Sequence, residues 1–582
     1  MAYDPIPKPG PGEFPVRPNL EDYDRMRRTW SWSQAAEGIT GLKDGGVNIA
    51  WECLDRHIQA GKGERTAMIW LGRDGSEERY TFAEMKDRAN RASEILVSLG
   101  VEKGDRVFVF LERIPELYFT VFGTLQAGAV IGPLFSAFGP DAIRDRLEDS
   151  AARVLVTSPA LLPRLASIRA DLHALEKILV VDRESSGWAP GPDRECSWSE
   201  AMKETTGDFE PVPTGAEDYA VMHYTSGTTG KPKGAAHVHQ AIQGHWATAR
   251  YVLDLHEEDI YWCTADPGWV TGTSYGMFGP WSNGVTNLIY QGGFGAEAWY
   301  RVIQEHQVSV WYTAPTAVRM LMKAGEALPR RFDLSSLRYI CSVGEPLNPE
   351  AIVWALKAYG MPIHDNWWQT ETGCIQIANY PVLPIRPGSM GKPFPGVTAA
   401  IVDETGSELP AGEEGDLVLK PRWPSMFRTY WNRKDLYDSR FRNGWYHTGD
   451  RARMDADGYF WFVGRSDDVI NTAGHLVGPF EVESALVEHP AVAEAGVIGK
   501  PDEERMEIVK AFVSLKDGYE PTDALKEEIR LFVRERLAAH AYPREIEFMA
   551  SLPKTRSGKI MRRLLKAREL GLPEGDTSTL ED

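Results

Sequence analysis

Short apolar runs recur along this chain between helix-length amphipathic stretches. RVFVF at 106 to 110, ARVLVTS at 152 to 158, KILVVD at 177 to 182 and YAVMHYTS at 219 to 226 are examples. Strands that are apolar on both faces need cover on both, and intervening helices supply it. The pattern therefore predicts an α/β fold, with a large N-terminal domain of stacked mixed or parallel sheets covered by helices. The 24 uncharged residues from Leu117 to Pro140 have the length of a membrane span. Gly123, Gly128, Gly132, Pro133 and Gly139 interrupt them. The reading is an apolar helix, a turn and a short buried strand, with no membrane partner.

After about residue 464 the units shorten to a helix near 480–489, strands near 492–498 and 508–515, a helix near 522–538 and a basic tail. This predicts a small, mobile α+β domain over 465–582, following a large domain over 1–464. The segment Gly464-Arg465-Ser466-Asp467-Asp468 is the expected hinge, pivoting near Asp467. The first 20 residues, rich in proline, read as an extended strap on the surface.

Acidic residues outnumber basic ones, 83 to 64, for a net charge of −19. Such a surface repels nucleic acid and anionic membrane, so a polyanionic ligand has to meet a local basic patch. The five cysteines, Cys53, Cys196, Cys263, Cys341 and Cys374, are odd in number and form no CxxC pair. Together with an N-terminus that lacks a basic start and apolar run, they point to a reduced, cytoplasmic setting.

The chemistry begins at Tyr224-Thr225-Ser226-Gly227-Thr228-Thr229-Gly230-Lys231-Pro232-Lys233-Gly234, directly after an apolar strand. Its glycines let backbone N–H groups turn toward one point, its hydroxyls add donors and its lysines add charge, which suits a phosphate chain. A surface turn is the alternative. It is not a Walker A loop, since Thr225 stands where the first glycine belongs and Pro232 where the magnesium-binding hydroxyl belongs. Near the C-terminus, Lys554 to Arg568 holds seven basic residues and no acid. From the residues alone this is equally a solvated basic face and a source of a catalytic cation.

YTSGTTGKPKG, with Tyr446-His447-Thr448-Gly449-Asp450, Gly464-Arg465-Ser466-Asp467-Asp468 and Pro553-Lys554-Thr555-Arg556-Ser557-Gly558-Lys559, resembles the adenylate-forming superfamily of acyl-CoA synthetases, adenylation domains and luciferases. The motifs fall in family order over more than 330 residues. TADPGWVTGTSYGMFGPW (264–281) and DNWWQTETG (365–373) are similar to the AMP-forming acetyl-CoA synthetases in particular.

The resemblance implies attack of acetate on the α-phosphorus of Mg-ATP, giving acetyl-adenylate and pyrophosphate, then attack of the CoA thiol. It implies that Thr225, Ser226, Gly227, Thr228, Thr229, Gly230 and Lys233 hold phosphates. Gly344, Glu345 and Pro346, with Asp365, Asn366, Trp367, Trp368, Gln369 and Thr370, would flank the nucleotide. Asp450 would accept the ribose hydroxyls, Arg465 would touch the ribose, Asp467 would be the pivot, and Lys559 would bridge acetate and α-phosphate. Glu371 would be the magnesium carboxylate, while Val487, His489 and Val492 would hold a second cation through main-chain oxygens. Val270, Thr271, Val343 and Trp368 would line the acyl pocket, an indole at 368 blocking long acids. Thr271 and Arg534 would meet CoA. A lysine acetyltransferase and deacetylase acting on Lys559 would be partners.

Two positions depart from the pattern of acetyl-CoA synthetases: Leu476 stands where they carry arginine, and Ala473 where they carry serine. Rival readings are a ligase for short- or medium-chain acids, an adenylation enzyme charging a carrier protein, and a non-catalytic nucleotide-binding regulator.

Overall fold

The computed structural model describes residues 3–580 except 11, 184–186, 192–193, 226–231, 467, 473–474, 503–504, 538–540, 556–558, 575–576 and 578–579. Among the described residues the strands form four sheets. Two are large and mainly parallel. One runs, in spatial order, Lys392–Pro393, Ile377–Ala378, Ile363–Trp367, Tyr339–Ser342, Val310–Thr313, Ile260–Cys263, Thr286–Tyr290, Thr66–Leu71, Glu77–Thr81. The other runs Thr429–Tyr430, Lys233–Val238, Tyr219–Thr225, Val130–Pro133, Arg106–Phe110, Val154–Thr157, Lys177–Val180, Glu195–Ser197. Antiparallel pairs are confined to the edges of both, as the mixed/parallel expectation requires. Each expected strand is present: Arg106–Phe110 with the expected bounds, Val154–Thr157 and Lys177–Val180 shorter by two or three residues, and Tyr219–Thr225 up to the last described residue.

The uncharged stretch resolves into the helix Pro115–Gln126 and the strand Val130–Pro133, both buried. No helix among the described residues is long and apolar enough to cross a membrane. The partner of Pro115–Gln126 is the helix Phe82–Ser98, started by a capping box between Thr81 and Glu84 and burying Phe82, Met85, Ala89, Ala92, Ile95 and Leu96. The two axes approach closely because Gly123 has no side chain. A Cβ there would lie 2.7 Å from Ala92 Cβ and 2.9 Å from the Ala89 carbonyl oxygen. Gly123→Val is therefore expected to lower stability by ~1–3 kcal/mol, read as a shifted midpoint in denaturant unfolding.

The third sheet is antiparallel: Ala399–Val402, Glu414–Leu419, Trp445–Met454, with Phe441–Arg442 and Phe460–Arg465 both paired to the last. The fourth, after residue 465, is built on the hairpin Val492–Asp502 and Met506–Leu515, flanked by the helices Pro479–Val487 and Asp523–Arg536. Its core of Val482, Leu486, Val497, Val509, Ala511, Val513, Ile529 and Val533 is its own. Strand 492–502 outruns the expected 492–498 because backbone pairing continues through Gly499-Lys500-Pro501, where side-chain alternation fades. The proline-rich N-terminus is extended and tied down by reciprocal Ile6–Ile385 hydrogen bonds of 2.8 and 3.0 Å.

Parallel strands end on one edge of their sheet, and that edge is where a ligand site forms in such folds. Here the chain leaving 260–263 supplies Val270 and Thr271, that leaving 339–342 supplies Val343 to Pro346, and that leaving 363–367 supplies Trp368 to Glu371.

Candidate active site

Thr225 and Lys233 face each other across an antiparallel pair, so the described residues on either side of the glycine-rich segment lie side by side. Ser226, Gly227, Thr228, Thr229 and Gly230 lie outside the described residues, as do Asp467, the expected pivot, and Ala473. Lys233 emerges beside Tyr430, its ammonium 5.7 Å from the ring centroid, because the strand Thr429–Tyr430 pairs with Lys233–Val238. The Tyr430 hydroxyl donates to Glu371 Oε1 at 2.6 Å, and the Phe427 N–H donates to the Glu371 carbonyl at 2.9 Å. Burial first, then Arg440, pushes the Lys233 ammonium below the ordinary lysine range, while Glu371 opposes the shift.

Asp450 stands opposite Arg465 in the register of Trp445–Met454 with Phe460–Arg465. Arg465 Nη1 lies 3.4 Å from Asp450 Oδ1. The Trp367 indole and the Gln369 amide donate to Oδ2 at 2.9 and 3.0 Å. Gln369 also donates to the Thr448 carbonyl and accepts from the Tyr446 hydroxyl, so it carries the 365–373 segment onto the YHTGD strand. Asp450 is 4% exposed, and its Oδ1 accepts no hydrogen bond among the described residues. Burial raises its pKa; Arg465, Trp367 and Lys559 pull it down. A buried carboxylate with an oxygen in want of donors suits a pair of hydroxyls.

Lys559 is tied to Thr555: the Thr555 N–H donates to the Lys559 carbonyl at 2.8 Å, and the Lys559 N–H to Thr555 Oγ1 at 3.1 Å. The side chain keeps solvent-accessible surface although atoms crowd it on several sides. That crowding, then Arg465, lowers its pKa; Glu345 and Asp450 counter and Arg562 adds to the fall. Glu345 is itself fixed by Arg319 at 2.7 Å and by the Thr316 hydroxyl, and Gly344 before it takes φ +103°. Thus residues near 345, 450, 465 and 559 form one electrostatic group.

Along the cleft, Asn366 Oδ1 accepts from the Tyr312 hydroxyl at 2.9 Å, and Asp365 is buried with its pKa well above the carboxylate range. Pro346 and Thr370 flank these segments, half-buried. The Trp368 indole N–H reaches Tyr312 Oη at 3.4 Å, and its ring meets Tyr275 edge-on with centroids 5.1 Å apart. Val343 and Val270 belong to the same apolar cluster, and Thr271 lies beside Val270 on the helix Val270–Thr273.

Other expected residues lie apart. Arg534 is exposed on Asp523–Arg536 with its guanidinium 5.6 Å from the Tyr542 ring centroid, and no described contact joins it to the cleft. The His489 ring is engaged, accepting from Ala491 N–H at 3.2 Å with Glu528 3.4 Å away, so at Val487, His489 and Val492 only main-chain oxygens are on offer to a cation. One of these, the His489 carbonyl, already accepts the Val492 N–H. Cys374 is fully buried, and burial pushes its thiol up to about 12, which makes it inert.

Sequence reasoning missed Tyr430 and Arg440. Both fall in SMFRTYWNRKDLYDSRF, whose arginines, lysine and aromatics carry no spacing that separates a site residue from a surface one.

The family described as AMP-binding enzyme matches residues 54–431, and the AMP-binding enzyme C-terminal domain matches residues 481–559. The acetyl-coenzyme A synthetase of Bacillus subtilis (strain 168) is 54% identical over 567 residues, covering 97% of this chain and 98% of that protein. That of Methanothrix thermoacetophila is 42% identical over 560 residues, covering 92% and 85%. The crystal structure of Brucella canis acyl-CoA synthetase superposes with a TM-score of 0.73 at 38% identity, covering 94% of this chain and 99% of that one. The anthranilate CoA ligase AuaEII in complex with anthranoyl-AMP gives 0.81 at 32% identity, covering 90% and 97%. A buried aspartate paired with an arginine and a C-terminal lysine close to both, in a chain matched almost end to end, have one common explanation: the chain belongs to the AMP-binding enzymes, in the family that includes the acetyl-coenzyme A synthetases.

Proposed function

We propose that this chain is an AMP-forming acetate–CoA ligase, converting ATP, acetate and CoA to AMP, pyrophosphate and acetyl-CoA through acetyl-adenylate. What supports the reading is a buried Asp450 with one oxygen 3.4 Å from Arg465 and the other held by Trp367 and Gln369, with Lys559 near enough to act on it, in a chain 54% identical to an acetyl-coenzyme A synthetase. A carboxylate is a poor acyl donor because oxide is a poor leaving group; AMP is a good one. In the first step an acetate oxygen bonds to the α-phosphorus as the bond to pyrophosphate breaks. Negative charge gathers there, and a cation held ready in a partly dehydrated cleft stabilises it. Lys559 is that cation. Asp450 accepts the ribose hydroxyls, with Arg465 beside it, and Lys233 with the glycine-rich segment before it receives phosphates. In the second step the CoA sulfur bonds to the carbonyl carbon and AMP leaves.

Magnesium would enter with ATP. Glu371 is a single carboxylate held at one oxygen by Tyr430, and among the described residues no group of three or more His, Cys, Asp or Glu side chains could hold a metal. One carboxylate suits an ion that keeps its waters and takes its other ligands from phosphates. When bound, it would offset charge on the leaving pyrophosphate.

The thiol and Lys559 need the same carbonyl in turn, so we take the chain to divide near Asp467 into 1–464 and a swinging 465–582. In the second pose Arg534 and Thr271 serve CoA. Lys559, accessible and with a depressed pKa, is the amine that an acetyltransferase would neutralise and a deacetylase would restore. The unpaired cysteines fit work in the cytoplasm.

Acid-dependent exchange between ATP and pyrophosphate, run across a ladder of C1 to C8 acids with and without CoA, tests the reading. Acetate is expected to give the fastest exchange and propionate a slow one, with CoA converting exchange to acetyl-CoA. A maximum at longer acids would favour a medium-chain ligase, and no exchange with any acid would favour a regulator.

A further inference from the structure

We propose that Arg440 binds the pyrophosphate portion of the nucleotide, as a guanidinium that the glycine-rich turn does not supply. Arg440 caps the helix Lys434–Ser439, and its carbonyl accepts the His447 N–H at 2.8 Å, which anchors it one strand-turn ahead of the YHTGD segment. From there the half-buried side chain leans over Gly449: a Cβ built at Gly449 would lie 3.0 Å from Arg440 Nη1 and 3.7 Å from Arg465 Nη2. Two guanidinium groups thus approach one bare glycine beside Asp450.

Their surroundings differ. Arg465 is matched by Asp450, at 3.4 Å. Arg440 makes no ion pair among the described residues; its partner is the Tyr430 hydroxyl, with the Glu371 charge beyond it. Lys233 lies on the same side, over the Tyr430 ring, and Arg440 is one cause of its lowered pKa. The charges on the two sides of Gly449 therefore differ. On the side of Asp450, Lys559 and Arg465 are met by Asp450 and Glu345. At the end toward Tyr430, Arg440 and Lys233, with Arg433 near, face the single carboxylate of Glu371, which a hydroxyl already engages. Like charges held together in a partly dehydrated place are unfavourable until an anion joins them. A guanidinium fork matches two oxygens of a phosphate at once, which an ammonium does not. With Asp450 taking the ribose, the end that carries Lys233 and Arg440 is where the β- and γ-phosphates lie.

The inference rests on the ligase reading for its chemistry, but direct binding tests it separately. Inorganic pyrophosphate with magnesium, and AMP alone, are titrated calorimetrically into the full chain and into Arg440→Ala, Arg440→Lys and Arg440→Gln variants. Arg440→Ala and Arg440→Gln are expected to weaken pyrophosphate binding tenfold or more and AMP binding less than twofold. Arg440→Lys should recover part of the loss. In kinetics, synthesis of ATP from supplied acetyl-adenylate and pyrophosphate should show a raised KM for pyrophosphate, while acetyl-adenylate plus CoA, which involves no pyrophosphate, proceeds at the wild-type rate. That retained rate also certifies that the variants are folded. Unchanged pyrophosphate affinity, no pyrophosphate binding by the wild type, or equal losses for pyrophosphate and AMP would overturn the assignment. A wild-type chain that binds pyrophosphate but activates no acid would sink the ligase reading and leave this one standing.

Discussion

Lys559→Ala is expected to lower acetate-dependent ATP–pyrophosphate exchange by about 10²- to 10³-fold, the range for removing one preorganised group from a developing charge. Thioester formation from supplied acetyl-adenylate and CoA should remain within a few-fold of wild type, because the lysine is not needed once pyrophosphate has left. Equal loss in both half-reactions would show that the side chain merely holds the cleft together. The pH profile adds a check whose sign follows from the environment. Crowding and the charges of Arg465 and Arg562 lower the Lys559 pKa. The ammonium is the active form, so adenylation by the free enzyme is complete below that pKa and lost as pH rises through it. Its alkaline limb therefore falls below the ~10.4 of an unperturbed lysine. Lys559→Arg, whose cation persists to higher pH, should shift that limb upward even if its maximum rate is lower. An alkaline limb unmoved in Lys559→Arg would assign it to another group.

Much of this architecture is legible in the sequence because strand-length apolar runs and interrupting glycines act locally. The stretch from Leu117 to Pro140 shows why: its glycines divide it before any neighbour is considered, and the helix and strand follow. The candidate site is legible for a different reason. Asp450, Lys559 and the glycine-rich segment belong to short stretches in which several unusual residues adjoin, and such stretches stand out when read one residue at a time. Arg440 is the opposite case. Its function depends on which side of Gly449 its side chain reaches, and that is decided by a helix end and a strand pairing far apart in sequence from Lys233. Nothing in YDSRFRNG separates Arg440 from Arg442, one half-buried against the cleft and the other exposed. Leu476 raises the related question of how the cleft manages with an arginine fewer. A guanidinium delivered from residue 440 keeps the positive charge in the cleft without using the 474–478 segment.

Acyl-chain length should be set almost wholly by Trp368. The residue is 9% exposed and is wedged against Tyr275 and Tyr312, which are themselves fixed: the Tyr275 hydroxyl shares a hydrogen bond with Thr248, and that of Tyr312 donates to Asn366. A ring so held cannot swing aside for a longer acid. In the wild type, adding one methylene to acetate changes kcat/KM by the ~1–3 kcal/mol a tight pocket exerts, so propionate is slow and butyrate and longer acids fail. Trp368→Gly removes the indole and, by analogy with other large core truncations, lowers stability by ~3–5 kcal/mol. The void it leaves opens from the acyl site, so an alkyl chain can fill it. At ~0.8 kcal/mol per buried methylene, the four extra methylenes of hexanoate return ~3 kcal/mol, about a hundredfold in kcat/KM relative to acetate. Hexanoate with ATP should then raise the melting temperature of Trp368→Gly and leave that of the wild type unchanged, since only the variant has room for the chain. A variant that loses stability and is uniformly slower on every acid from C2 to C8 would mean that Trp368 is a core residue and that another wall closes the pocket.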